Sequence, residues 1–162
     1  MIRPMTADDA GAIVALIVAA EVLSADEAEV VRELLAEYDT AKDAGHTAIV
    51  DELDGRVVGV AYYRPRGPAD RLWDVTMIAV EPGLHGRGLG RALLGHVEDD
   101  LRSRGQRLLT VDTSSTARYA RARNFYRRCG YVEEARICDY WEDEDDLVVF
   151  TKRLADPHTP GP

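Results

Sequence analysis

Cysteine is scarce in this 162-residue chain, which holds only Cys129 and Cys138. Two thiols cannot build a disulfide framework, and neither stands at a metal-type spacing, so both read as buried, reduced thiols in a reducing compartment. Histidine is thin as well. His46, His85, His96 and His158 are scattered along the chain, which argues against any metal site. A run long and apolar enough to span a bilayer is missing. The nearest candidate, Ala10–Ala20, could pass for the hydrophobic part of a secretion signal, but Asp8 and Asp9 stand where a positive leader belongs. The expectation is a cytoplasmic protein with no membrane partner. Positive charge is also short, with 20 Lys and Arg against 29 Asp and Glu and a net charge of −9, which excludes a general nucleic-acid surface. Lysine is nearly absent, only Lys42 and Lys152, and this reads as compositional bias.

What remains is the composition of a soluble globular domain, 46% hydrophobic and 30% charged, and long enough for one sizeable core. Residues 1–154 read as a single domain and 155–162 as a disordered tail. Met1–Pro4 reads as a first strand. Thr6 with Asp9 is a capping signal for a helix over Ala7–Ala20, and Ser24 with Glu27 repeats it for a helix over Ala25–Tyr38. His46–Glu52 and Arg56–Tyr63 are β-rich runs joined by Asp54-Gly55, a strong hairpin signal. Arg71–Val80 is the next strand. Leu89, Leu93, Val97 and Leu101 line one face of a helix that reaches about Arg104. Arg107–Asp112 is a strand, Ala117–Arg128 a helix, and Tyr131–Ile137 and Leu147–Arg153 are strands flanking an acidic turn, Glu142–Asp146.

One line of the sequence carries chemistry. In Val80-Glu81-Pro82-Gly83-Leu84-His85-Gly86-Arg87-Gly88-Leu89-Gly90-Arg91, a strand runs through a glycine-rich turn into a helix. Such a turn lets an anion approach the backbone, and the unpartnered N–H groups of the helix start carry the positive end of its dipole. A phosphate or pyrophosphate is the natural occupant. Arg87 and Arg91 add formal charge. The turn is not a nucleotide P-loop, which needs Gly-Lys-Ser/Thr, and it lies too far along the chain for a dinucleotide fingerprint. Charge distribution agrees with a polyanionic ligand. No carboxylate occurs from Pro82 to Val97 or from Thr113 to Val132, and the second stretch holds Arg118, Arg121, Arg123, Arg127 and Arg128.

The pattern Gln/Arg-x-x-Gly-x-Gly/Ala after a strand ending Val-x-Pro resembles the GNAT family of N-acetyltransferases, with His85 at the Gln/Arg position. Downstream, Ala122-Arg123-Asn124-Phe125-Tyr126-Arg127-Arg128-Cys129-Gly130-Tyr131 is similar to that family's A-x-x-F-Y-x-x-x-G-F/Y segment. The resemblance implies a mixed α+β fold: a central, mostly antiparallel sheet splayed between its fourth and fifth strands and flanked by four helices. It implies an N-acetyltransferase that moves the acetyl group of acetyl-CoA directly to a primary amine, with no metal.

The resemblance also assigns roles. His85, Gly86, Arg87, Gly88, Leu89, Gly90 and Arg91 would hold the coenzyme A diphosphate. Ile78, Ala79 and Val80 would hold the pantetheine arm and the thioester carbonyl. Tyr126 matches the general acid, and Tyr119 stands where the family often has a coenzyme-contacting asparagine. Seven residues apart on a helix, Tyr119 and Tyr126 would share a face, with Phe125 turned toward Cys129 and the core. Asp74, eleven residues before His85, matches the glutamate that some members use as a base. Strand alternation puts it on one face with Leu72, Thr76 and Ile78, where a carboxylate should have a raised pKa. An unactivated Asp74, structural only, is the alternative. The acidic segments Glu21–Asp43 and Glu133–Asp146 point to a cationic small-molecule or lysine-like acceptor. The rival class is a non-catalytic acyl-CoA-binding or sensing module. The acceptor's identity, acetyl against longer acyl chains, and dimerisation through the terminal strands stay open.

Overall fold

A computed structural model describes residues 1–22 and 27–154. The expected Ser24 cap, the helix start at Ala25 and the tail 155–162 lie outside the described residues. The strands are β1 (Ile2–Pro4), β2 (Thr47–Leu53), β3 (Arg56–Pro65), β4 (Leu72–Val80), β5 (Leu108–Ser114), β6 (Val132–Glu142) and β7 (Asp145–Arg153). The helices are α1 (Ala10–Ala19), α2 (Ala28–Ala36), α3 (Tyr38–Asp43), α4 (Leu89–Ser103) and α5 (Ala120–Arg128). The seven strands are hydrogen-bonded in the order β1-β2-β3-β4-β5-β7-β6. The β1–β2, β2–β3, β5–β7 and β6–β7 pairs are antiparallel, and β4–β5 is parallel. Among the described residues no helix is long and apolar enough to cross a membrane.

Tertiary contacts gather into two units. Met1–Arg64 with Met77–Val97 forms the first, and Pro65–Thr76 with Glu98 onward forms the second. In the first, Asp54 and Gly55 both take positive φ, 51° and 76°, so the β2–β3 hairpin closes with the left-handed turn that matches strand twist. The Asp9 carboxylate accepts from the Thr6 N–H at 2.8 Å and from its hydroxyl at 3.0 Å, starting a 3-10 turn that leads into α1. Arg3 grips the same carboxylate with two nitrogens at 2.8 and 2.9 Å and lowers its pKa to about 2. Ile13, Ile17, Val31 and Leu35 from the helices bury against Val50, Val60, Tyr62 and Met77 of the strands. A Cβ on Gly59 would stand 2.8 Å from Leu93 Cδ1, so the absent side chain lets α4 lie close on β3. That seats the start of α4.

The second expected helix does not run unbroken to Tyr38. It stops at Ala36, turns at Glu37 (φ −88°, ψ 0°) and resumes as α3. The turn drives the Tyr38 ring into the core, where its oxygen accepts the Ala48 N–H at 2.8 Å. Among the described residues the helices therefore number five rather than four. In the second unit the expected five-residue acidic turn shrinks to Asp143 and Glu144, because Glu142 ends β6 and Asp145 opens β7 as opposed residues. β6 also runs five residues beyond its expected end at Ile137. Every residue of this edge strand is exposed, Ile137, Tyr140 and Trp141 included, and Cys138 with them. Cys129, at the end of α5, is half-buried, so the expected burial of both thiols does not hold.

Candidate functional site

The glycine turn follows β4 through a short 3-10 turn, Pro82–Leu84. Gly86 and Gly88 then take φ of 79° and 85°, the left-handed region that other residues enter only with strain. Nothing lies within 4 Å of where a Cβ would stand on either. Sterics inside the protein therefore do not explain these glycines; backbone conformation and an open approach do. The Gly88 carbonyl accepts from Ala92 N–H at 2.9 Å and opens α4, so the N–H groups of Leu89 and Gly90 belong to the first turn, which precedes any intrahelical acceptor. Arg87 and Arg91 are exposed beside them. The fit to an anionic diphosphate is good: open backbone, a helix N-terminus and no acid from Pro82 to Val97.

His85, expected at the ligand, turns its imidazole onto the strand instead. Its Nε2 lies 2.8 Å from the Val80 carbonyl oxygen, which requires that nitrogen to carry the proton. The ring thus braces the turn against the end of β4. The Glu81 N–H donates to the Val58 carbonyl at 2.9 Å, fixing the next peptide. Along β4, Trp73, Val75, Met77 and Ala79 are buried, while Leu72, Asp74, Thr76 and Ile78 occupy the opposite, more open face. Val80, at the strand end, is buried with Ala79.

In the second unit, Tyr126 is buried at 6% exposure, with Phe125, Tyr131 and Phe150 around its ring. Its hydroxyl pKa is raised, first by burial and then by the negative charge of Asp74 and the Cys129 sulfur. The phenol therefore stays protonated across the whole neutral range. Tyr119 stands otherwise than expected. It ends a 3-10 turn, Ala117–Tyr119, ahead of α5, so no continuous α-helix carries the seven-residue spacing to Tyr126. Tyr119 is half-buried, with the Arg118 guanidinium 5.4 Å from its ring centre.

The Asp74 side chain is 13% exposed. Its pKa is raised, chiefly by burial and then by Asp112, against the opposing pull of Arg66 and the Thr110 and Thr76 hydroxyls. Arg66, Thr110 and Asp112 were not legible as site residues. Strand alternation places Thr110 and Asp112 on one face of β5, but only the β4–β5 register sets Thr110 opposite Asp74. Nothing local marks Arg66, which comes from the β3–β4 connection.

The arginine cluster of α5 divides. Arg123 turns inward and donates to the Ser114 and Thr116 carbonyls at 2.7 and 2.8 Å, and Arg127 pairs with Glu133 at 2.7 Å. Arg118, Arg121 and Arg128 are exposed. The acids divide too. Asp145 is buried and accepts from Ser114 Oγ at 2.6 Å and Ser115 N–H at 3.1 Å, whereas Glu142, Asp143 and Glu144 face solvent. Among the described residues no group of His, Cys, Asp and Glu is placed to hold a metal.

Comparison with known proteins decides the family. Residues 11–131 match the Acetyltransferase (GNAT) family. The chain belongs to the GNAT family. It is 32% identical over 119 residues to an uncharacterised N-acetyltransferase of Methanocaldococcus jannaschii, covering 70% of this chain and 69% of that protein. A crystal structure of a GNAT acetyltransferase from Desulfovibrio desulfuricans superposes with a TM-score of 0.90 at 30% identity, covering 96% of this chain and 99% of the other. An acetyltransferase from Salmonella typhimurium, solved with acetyl-CoA, shares the fold at TM-score 0.80 and 23% identity, over 99% and 97% of the two chains. This GNAT protein is an acyl-CoA-dependent acetyltransferase.

Proposed function

We propose that this enzyme transfers the acetyl group directly to the primary amine of a cationic small molecule or lysine-like acceptor, in a ternary complex. The observation that carries the reading is the pair of left-handed glycines, Gly86 and Gly88, with open space at both Cβ positions ahead of the α4 N-terminus. His85 to Arg91 bind the diphosphate, chiefly through backbone N–H groups, with His85 bracing the turn from behind. Ile78, Ala79 and Val80 supply backbone hydrogen bonds to the pantetheine arm and the thioester oxygen, by correspondence with the family motif. Tyr119 lines the coenzyme side on the same ground.

Bound acetyl-CoA supplies an acyl carbon activated as a thioester. Asp74 takes, through water, the proton that the acceptor ammonium must lose before its nitrogen can attack. Its raised pKa brings it nearer the operating pH, where a base is most effective. Tyr126 returns a proton to the departing sulfur, and its own raised pKa keeps that proton available. The exposed acids Glu142, Asp143 and Glu144, with Glu33 and Asp39 on the helices and Glu37 in the turn between α2 and α3, raise the local concentration of a cationic amine.

A panel of amines with acetyl-CoA, read by mass spectrometry, tests the acceptor class. Acetylated polyamines, aminosugars or lysine compounds are expected; an acidic or neutral acceptor overturns the class. Gly88→Val should abolish coenzyme A-induced thermal stabilisation, since a β-branched residue cannot hold the left-handed conformation without strain. Undiminished coenzyme A affinity in a folded variant would refute the placement of the diphosphate.

A further inference from the structure

Asp74 is one corner of a cluster. Its Oδ1 lies 3.3 Å from Arg66 Nη1 and 3.2 Å from Thr110 Oγ1, and its Oδ2 lies 3.2 Å from Thr76 Oγ1. The same Arg66 nitrogen reaches Asp112 Oδ1 at 2.9 Å and Thr110 Oγ1 at 3.1 Å. One guanidinium nitrogen carries two hydrogens, so three acceptors must share them, and the shortest contact goes to Asp112. Arg66 is thus anchored on Asp112 and leans on Asp74. Its backbone N–H donates to the Leu72 carbonyl at 2.8 Å, which holds the connection against the start of β4.

This arrangement is a poor stabiliser. The Arg66 side chain is 39% exposed and that of Asp112 27%, a setting in which an ion pair contributes about 1 kcal/mol or less. Two carboxylates share one cation, leaving a formal charge of −1 beside a largely buried acid. A device for stability would have paired Asp74 fully or replaced it. The cluster instead treats the two Asp74 oxygens differently. Oδ1 faces a charged donor and a strand hydroxyl that also reaches the Trp73 carbonyl at 3.2 Å, while Oδ2 accepts from a neutral donor, the hydroxyl of the exposed Thr76, on the open face.

We propose that Arg66 and Asp112 are positioning residues for acetyl transfer, anchoring Asp74 through Oδ1 so that Oδ2 is the oxygen that accepts the proton. The proposal rests on the reading of Asp74 as the base. The groups that face this carboxylate are Asp112 from β5, Arg66 from the β3–β4 connection and Tyr126 from α5, with Tyr140 of β6 acting on Arg66. Asp112 and Arg66 push in opposite directions: the acid disfavours the charged form of Asp74 and the guanidinium favours it.

The opposition gives a test that packing alone cannot mimic. The carboxyl carbons of ¹³C-labelled aspartate are titrated by NMR in the full chain, with Asp74 identified by the signal lost in Asp74→Asn. Asp112→Asn should lower the Asp74 midpoint by about one pH unit, and Arg66→Gln should raise it by a similar amount. Arg66→Lys, which keeps the charge, should restore most of the shift. Because Arg66→Gln leaves two acids uncompensated and could unfold, Arg66→Lys and Asp112→Asn serve as the second pair. Midpoints within about 0.2 unit of the parent in both Asp112→Asn and Arg66→Gln, or shifts of the same sign, would overturn the proposal. The base reading fails separately. If Asp74→Asn keeps the acid limb of kcat/KM with an amine from the panel, the cluster tunes a carboxylate that moves no proton.

Discussion

Two buried acid–tyrosine pairs stand in the second unit, and they are solved in opposite ways. Glu98, at 6% exposure, takes Lys152 Nζ on both oxygens at 2.9 and 2.8 Å, Arg102 at 3.0 Å and the Tyr131 hydroxyl at 3.1 Å. Lys152 also donates to the Cys129 carbonyl, so α4, β7 and the end of α5 are tied at one carboxylate. Asp74 has one cation at 3.3 Å, shared with a second acid, and its charge raises the Tyr126 hydroxyl pKa through space. Burial raises the hydroxyl pKa of both tyrosines. The lesson is in compensation. An acid matched by two cations holds secondary structure in place, whereas an acid left short of cations keeps a pKa that chemistry can use.

The largest expected effect breaks the weaker-bound pair. Tyr126→Phe keeps the ring in its aromatic pocket and removes only the hydroxyl, so kcat should fall by about 10²- to 10⁴-fold. Steady-state kinetics should show that loss with the acetyl-CoA dissociation constant nearly unchanged. Full turnover would make the hydroxyl dispensable, and the two pairs would then be alike.

Glu98→Gln sharpens the comparison from the other side. It strands Lys152 in a site built for an anion, and unpairing a buried ion pair costs about 3 kcal/mol. Calorimetry should read this as a fall in Tm of roughly 6–12 °C for a chain of this size. Turnover per folded molecule should hold.

Asp74→Asn should do the reverse, cutting turnover while changing stability by less than about 1 kcal/mol near neutral pH. The sign follows from its raised pKa. The folded protein binds this proton more tightly than the unfolded chain, so the stabilisation linked to Asp74 is present at low pH. It is lost as pH rises from the unfolded value through the folded one. In parallel pH scans, the parent should therefore gain on Asp74→Asn as the solution is acidified. Asp9, depressed to about 2, runs oppositely and loses its contribution as pH falls toward that value.

The smallest effect concerns the solvent-facing acids. Asp143→Asn with Glu144→Gln should raise KM for a cationic amine about twofold and leave coenzyme A binding alone, the scale of exposed-charge interactions. Added salt should weaken the parent's kcat/KM and flatten its difference from the double variant, because screening acts within about 10 Å at 0.1 M. Asp145 is left out of this test. Its bonds to Ser114 and Ser115 make it structural.

Much of this was legible in local sequence because local physics carries it. Asp54-Gly55 specifies its hairpin, Thr6 with Asp9 its helix start, and the glycines after Val80 a turn no other residues make cheaply. The two-residue period of β4 put Asp74, Thr76 and Ile78 on one face from the chain alone. The motif around Tyr126 was equally readable, since its residues are contiguous. Tertiary structure decided what depends on partners distant in the chain. Strand register set Thr110 of β5 opposite Asp74, and a loop arginine 46 residues before Asp112 came to bridge two acids. The same holds where like residues diverged: Arg123 against Arg121, Asp145 against Asp143, and His85 bracing a carbonyl instead of facing outward. Residue type and spacing fix which backbone shapes are cheap. Whether a charge is matched, shared or exposed is set by desolvation and by neighbours that only the folded chain assembles.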